Sequence, residues 1–291
     1  MKIAISAESQ IDLSPEECQK RGIHIIHMQM EQDGVAYQDN EKTLEELFDY
    51  TSKSGKFCHT AAPNIDAFEN HFKKLLEEYD EIVHIALSSA MSSTYQNAMI
   101  ARNDNPKIHI VDSLNASGGT AIYVLYAVDL LNAGYSAEEI VEKVMERRTH
   151  IECSFQIDTL EYLYRGGRCN KVTMLGANLL KIKPEIICGK EGKLGLGKLH
   201  RGPTKKVVNE YFDRILSQKN IDKHRAFIEY STLDEKGLAL FEECKKRLVD
   251  FGFEEVVGGQ CASPISAYHA GPGIIGAQFY VDGPHPIEKK N

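Results

Sequence analysis

Apolar and polar positions along this 291-residue chain fall into two regimes. In the first half, short apolar runs read as strands at Lys2–Ser6, Glu81–Leu87 and Lys107–Val111. Between them, apolar residues recur at helical spacing, as in Phe68, Phe72 and Leu75/Leu76, with Asn64 placed to cap that face. Ser14-Pro15-Glu16-Glu17 offers a capping serine, a proline at the first helical position and a glutamate at the third. Thr43 with Glu46, and Ser136 with Glu139, are capping boxes, and further helices are expected from about Thr94 and over Thr120–Leu131. Strands alternating with helices imply parallel pairing under helical layers, a three-layer α/β/α arrangement.

The second half is patterned differently. After a strand at Ile151–Ile157, Asp158 is placed to cap a short helix that leads into YRGGR. PEIICGKEGKLGLG reads as a hairpin with glycine at its turn. Amphipathic helices over Thr204–Gln218 and Asp234–Phe251 interleave with strands at Arg225–Tyr230 and Glu254–Val257, and GIIGAQFYV reads as a last strand. This predicts a mixed sheet with helices on one face. The expected division is 1–150 and 151–291, with no linker between, and ligand sites favour such interfaces.

Composition narrows the function. With 42% hydrophobic residues there is material for a sizeable core. The net charge of −8 argues against nucleic acid and against a polybasic membrane contact. No run approaches the roughly 18 apolar residues of a membrane span. The first residues turn polar too soon for a secretory signal. Seven cysteines, scattered and without a C-x-x-C, suit small core residues in a reducing cytoplasm better than a zinc site or a disulfide framework. Neither a metal nor a cofactor is expected.

Two polar loops precede helices in the first half: Ser88-Ser89-Ala90-Met91-Ser92-Ser93-Thr94-Tyr95 and Cys58-His59-Thr60-Ala61-Ala62-Pro63-Asn64. Hydroxyls and free backbone N–H groups beyond the carboxyl ends of parallel strands suit an anion, although Ser92 or Ser93 would also serve as a plain helix cap. The second half supplies positive charge in Arg165-Gly166-Gly167-Arg168 and around Arg201, where arginine can pair with carboxylate or phosphate, or simply face solvent. His269 is either an anion donor or a core histidine. Gly271-Pro272-Gly273-Ile274-Ile275-Gly276 has the letters of a dinucleotide fingerprint, but too little chain follows it for the helix and second strand, so it reads as a turn into the last strand. A Ser92–His269 triad with Asp112 or Asp158 would need a nucleophile elbow, and no G-x-S-x-G is present.

Taken in order, these segments resemble the DegV family of bacterial fatty-acid-binding proteins, related in fold to the first domain of dihydroxyacetone kinase. SSAMSSTYQNA resembles the family's S-S-x-L-S-G-T-Y-Q-x-A, and DTLEYLYRGGR its D-T-L-x-Y-L-x-x-G-G-R. IVDSLNASGG, LLKIKPEIICGKEGKL and HAGPGIIG are similar to its V-x-D-S, L-L-x-I-K-P and H-x-G-P-G segments. Departures fall at Ala61, at Ser93 in place of glycine, and in Glu8-Ser9-Gln10-Ile11-Asp12, where the family has D-S-T/S-x-D. The resemblance implies a two-domain α/β protein that catalyses nothing itself and buries an acyl chain between its domains. Thr60 and Ser92 would hold the carboxylate, with Ala62 and Ser93 in the same loops and Arg201 and His269 supporting the head group. Arg165 and Arg168 would contact a phosphate or a partner. The implied partner is a separate ATP-dependent fatty acid kinase that makes an acyl phosphate for phospholipid metabolism. An acyl chain of about C14–C18 gains on the order of 12 kcal/mol on burial, at ~0.8 kcal/mol per CH₂ and before the costs of binding. The alternative is a phosphotransferase-type enzyme subunit acting on a small hydroxylated substrate. Apolar residues at Met174, Leu175, Leu179, Leu180 and Ile182 argue instead for an apolar tunnel.

Overall fold

The computed structural model describes residues 1–168 and 182–290. The chain opens with β1 (Ile3–Glu8), α1 (Pro15–Arg21) and β2 (Ile23–Ile26). Three short strands follow, β3 (Gln29–Gln32), β4 (Val35–Gln38) and β5 (His59–Ala61), with α2 (Leu44–Ser54) inserted before the third. Then come α3 (Ile65–Leu75), β6 (Glu81–Ala86), α4 (Thr94–Arg102), β7 (Ile108–Asp112), α5 (Gly118–Asn132) and α6 (Ala137–Arg147). The second half runs β8 (Ile151–Gln156), α7 (Glu161–Arg165), β9 (Lys183–Cys188), β10 (Leu194–His200) and α8 (Thr204–Leu216). It ends with β11 (Arg225–Tyr230), α9 (Glu235–Phe251), β12 (Glu255–Gln260), α10 (Pro264–Ala270) and β13 (Ile275–Tyr280).

The first sheet is parallel throughout, in the order β2-β1-β6-β7. Phe68 and Phe72 of α3 and Ala98 and Ala101 of α4 pack on one face, while α5 and α6 cover the other. This is the expected three-layer arrangement. The capping boxes of α2 and α6 form, as does the Ser14 cap of α1. The second sheet, β10-β9-β8-β13-β11-β12, is mixed: only β11 and β12 are parallel. Helices α8 and α9 cover one of its faces through Phe212, Ile215 and Leu248.

The other face of that sheet is covered from the first half. Helix α5 packs against β1 and β6 on one side and against β8, β11 and β13 on the other. Every residue from Gly118 to Val128 is buried, as befits a helix that is apolar all round. The approach is close enough to require glycine: a Cβ on Gly118 would lie 2.3 Å from Gln278 Oε1 and 2.4 Å from Phe227. Ion pairs reinforce the junction. Arg147 of α6 bonds Asp222 and Asp282 (2.8 and 2.7 Å), and Arg225 bonds Asp129 at 2.7 Å.

Two local expectations fail. Asp158 does not cap α7; it pairs with Lys183 at 2.7 Å, and the Thr159 hydroxyl accepts from Glu161 N instead. The antiparallel sheet β4-β3-β5 was not anticipated, because β4 is mostly exposed and carries no alternating apolar face. Its one local signal is Asp33-Gly34, both at positive φ in the hairpin between β3 and β4. The segment Gly271–Gly276 behaves as expected, turning through positive φ at Gly271 and Gly273 into β13.

Candidate functional site

The loop after β6 is set by a buried carboxylate. Glu8, at the end of β1, accepts from Leu87 N (3.0 Å) and Thr94 Oγ1 (2.7 Å) and meets His84 Nε2 at 3.3 Å. Burial alone would raise its pKa, but the His84 charge and these hydrogen bonds outweigh burial and hold it below the ordinary value. Between Leu87 and Thr94 the loop folds on itself, with Met91 N and Ser92 N donating to Ser88 O and Ser92 Oγ accepting from Thr94 N at 3.3 Å. Ser88 Oγ donates to Gly192 O in the β9–β10 turn at 2.8 Å, and a Cβ on Gly192 would sit 2.2 Å from that hydroxyl.

The second loop is tied to the first. Asn97 Nδ2 of α4 donates to Pro63 O at 2.8 Å, and Asn64 caps α3. Thr60, on β5 opposite Met30 of β3, meets His269 Nε2 of α10 at 2.8 Å. The register of that unanticipated small sheet therefore aims the Thr60 hydroxyl. Helix α10 is anchored one residue earlier, where the Tyr268 hydroxyl contacts Thr51 Oγ1 (2.6 Å) and accepts from Cys58 N (3.1 Å). Gly166 lies flush with the His269 ring: a Cβ there would be 2.2 Å from Nδ1. Burial, with the Arg168 charge adding to it, pushes the His269 imidazole down to about 3, so the ring is neutral at physiological pH.

These side chains border one cavity of about 480 Å³. Thr60, Ala61, Ala62, Ser92, Ser93, Arg168 and His269 line it on the partly exposed side. Met28, Leu87, Phe155, Leu163, Ile265 and Ile274 make its walls apolar. Six of the eight predicted site residues are thus brought together. Two are not: Arg201 is exposed at the end of β10, and Arg165 is exposed, paired with Glu161 at 2.8 Å and stacked over Phe57. Met174, Leu175, Leu179 and Leu180 lie outside the described residues; Ile182 packs against the cluster beside the cavity. No triad forms among the described residues, since His269 meets Thr60, Asp158 meets Lys183, and Asp112 Oδ1 accepts from Ser89 N and Leu114 N.

The inner wall holds polar groups that sequence reasoning missed: Gln10, Ser117 and Glu229. Ser117 Oγ touches Asp12 Oδ2 and lies 2.6 Å from Glu229 Oε2. Its single proton serves one carboxyl, so the other must carry a proton of its own. Burial, reinforced for Asp12 by its neighbour Glu229, raises both acids above the usual carboxylate range, consistent with that count. The only sequence-level hint was the departure at Gln10 from the family's opening motif.

Fold and site together define an α/β protein, built on two large sheets and one small one, that encloses an apolar cavity bordered by hydroxyls and a neutral histidine. Residues 2–282 match the family described as "Uncharacterised protein, DegV family COG1307". The DegV domain-containing protein YteA of Lactococcus lactis is 30% identical over 288 residues, covering 94% of this chain and 96% of that one. The structure of a fatty-acid-binding DegV family protein from Thermus thermophilus superposes with a TM-score of 0.84 at 26% identity, covering 97% of this chain and 100% of that one. The Streptococcus pneumoniae fatty acid kinase (Fak) B3 protein, loaded with linoleic acid, shares the fold at a TM-score of 0.82 and 20% identity, covering 97% and 100%. The chain belongs to the DegV family.

Proposed function

We propose that this protein binds one long-chain fatty acid, with its carboxylate at Thr60 and Ser92 and its acyl chain buried between residues 1–150 and 151–291. The observation that carries this reading is an apolar cavity whose mouth places the Thr60–His269 pair and Ser92 around one opening. A volume of about 480 Å³ lies within the range of small-molecule sites, and the walls offer no charged group to a polar substrate beyond Arg168 and Glu229 among the described residues. Neutral hydroxyls and a neutral imidazole orient the head group, while Arg168 at the rim offsets its charge. Ala62 and Ser93 complete the backbone of the two loops. The relatives with bound fatty acids support the same assignment.

In this reading the protein is a cytoplasmic carrier without catalytic residues, and it presents the acid to a separate ATP-dependent kinase. The Fak B3 likeness supports such a partner. Arg201, exposed just after β10, and Arg165 lie on the surface, where a kinase or a transferring phosphoryl group would meet them. The purified protein should carry a stoichiometric fatty acid by native mass spectrometry, lost in a Thr60→Ala/Ser92→Ala double variant. An empty protein that takes up no added fatty acid would refute the assignment. Arg201→Ala should slow kinase-dependent acyl-phosphate formation without weakening fatty-acid binding; an unchanged rate removes Arg201 from the partner encounter.

A further inference from the structure

Among the residues lining the cavity are two cysteines on neighbouring strands, Cys153 of β8 and Cys188 of β9. Along these antiparallel strands Phe155 pairs with Ile186 and Ser154 with Ile187. The register carried one residue further sets Cys153 opposite Cys188, which in turn pairs with Leu194 of β10. Side chains alternate between the two faces of a sheet, so Phe155, Cys153, Cys188 and Leu194 share one face. All four line the cavity, whereas Ser154 points the other way, to the Tyr211 hydroxyl of α8 at 3.1 Å. Both cysteines are free thiols; Cys153 is 7% exposed and Cys188 is half-buried. A hydrogen bond with Cys188, and then burial, pushes the Cys153 thiol well above its ordinary pKa.

Directly opposed residues of an antiparallel pair have Cα atoms about 4.5–5.5 Å apart. That spacing falls inside the roughly 4.4–6.8 Å that a disulfide bridges, so the bond can form with both strands in place. We propose that Cys153 and Cys188 form a modification site inside the cavity, which small disulfides oxidise to a cross-strand disulfide when no acyl chain covers it. Cys153 keeps its proton, so the first attack falls to Cys188, the more exposed of the two. The Cys188 sulfur gives its proton to water and displaces one thiolate from the small disulfide, and that thiolate takes up a proton. The Cys153 sulfur then loses its proton and displaces the second thiol from Cys188. Two protein thiols are oxidised by two electrons, and one small disulfide is reduced to two thiols. The shielding by an acyl chain rests on the fatty-acid reading of the cavity; the thiol pair itself does not.

The test treats lipid-stripped protein with hydroxyethyl disulfide and reads the Cys153–Cys188 link by peptide mass mapping, with and without excess stearate. The stripped protein should form the link, and stearate should slow its formation tenfold or more. Cys153→Ala should stop at a mixed disulfide on Cys188, and Cys188→Ala should leave Cys153 unmodified. Stearate binding is measured separately, by displacement of a fluorescent fatty acid. Absence of the link in the stripped, folded wild-type protein overturns the thiol site and leaves fatty-acid binding standing. A link that forms at one rate with and without bound stearate overturns the shielding. A link that forms in a protein to which stearate does not bind overturns the fatty-acid reading and the shielding together.

Discussion

Replacing Thr60 with valine keeps the branched shape on β5 and removes one hydroxyl. In the empty protein that hydroxyl is the partner of His269 Nε2 at 2.8 Å. The ring is neutral and its Nδ1 edge lies against Gly166, so the lost partner leaves a largely buried nitrogen unsatisfied. The cost is about 1–3 kcal/mol, which for a chain of this size lowers Tm by a few degrees, at roughly 2 °C per kcal/mol. In the proposed fatty-acid complex the same hydroxyl would donate to the carboxylate, and a hydrogen bond to a charged group contributes about 1.5–3 kcal/mol. The released His269 nitrogen can take over part of that duty, so the loss in affinity falls toward the low end, about tenfold. Displacement of a fluorescent fatty acid measures it, with the methyl ester of the same acid as control, because the ester has no carboxylate to lose. A Kd within twofold of wild type, together with an unchanged Tm, would refute both the site assignment and the role of the Thr60–His269 pair.

Two further predictions rest on burial and packing. His71 and His269 are both pushed down to about 3, chiefly by burial, whereas in the unfolded chain they titrate near 6.5. The unfolded state thus binds more protons below that pH, and stability falls as pH drops from 6.5, by up to ~1.4 kcal/mol per pH unit for each ring. Urea unfolding at pH 7 and pH 5 should show the loss, and His71→Gln should roughly halve it; stability that is flat on acidification in both proteins contradicts the assignment. Gly118→Ala places a methyl 2.3 Å from Gln278 Oε1 and should cost about 1–3 kcal/mol or more through overpacking, seen as a lowered Tm. An unchanged melting curve would mean that α5 can move away from β13.

What the chain declares locally, it declares well. Thr43–Glu46 and Ser136–Glu139 form their capping boxes because both partners lie within one helical turn. The Thr60 and Ser92 loops were legible for a similar reason: hydroxyl-rich segments preceding helices in an α/β pattern are a short-range signal. Asp158 shows the limit of such signals, since a caps-like residue was claimed by Lys183 on a neighbouring strand. The small sheet was invisible because its strands are short and its partner strand β5 arrives only after α2. Gln10, Ser117 and Glu229 could not be read as one wall, since they meet only when β11 packs over the start of α5. Arg201 illustrates the converse: adjacency in a basic run says nothing about which way a strand end faces.

The position of α5 also bears on how the chain comes to be folded. Its inner side is covered once β1, β6 and β7 are assembled, all from sequence that precedes it. Its outer side waits for β8, β11 and β13, and the last of these ends at Tyr280. During synthesis an apolar helix therefore stands with one flank bare until nearly the whole polypeptide has emerged, the kind of species that aggregates or recruits chaperones. Completion of the ligand cavity coincides with that final docking, because Ile274 and Glu229 of its wall arrive with the same late segments. A nascent or truncated chain lacking β13 would thus be sticky and without a closed cavity, and both conditions end in one event.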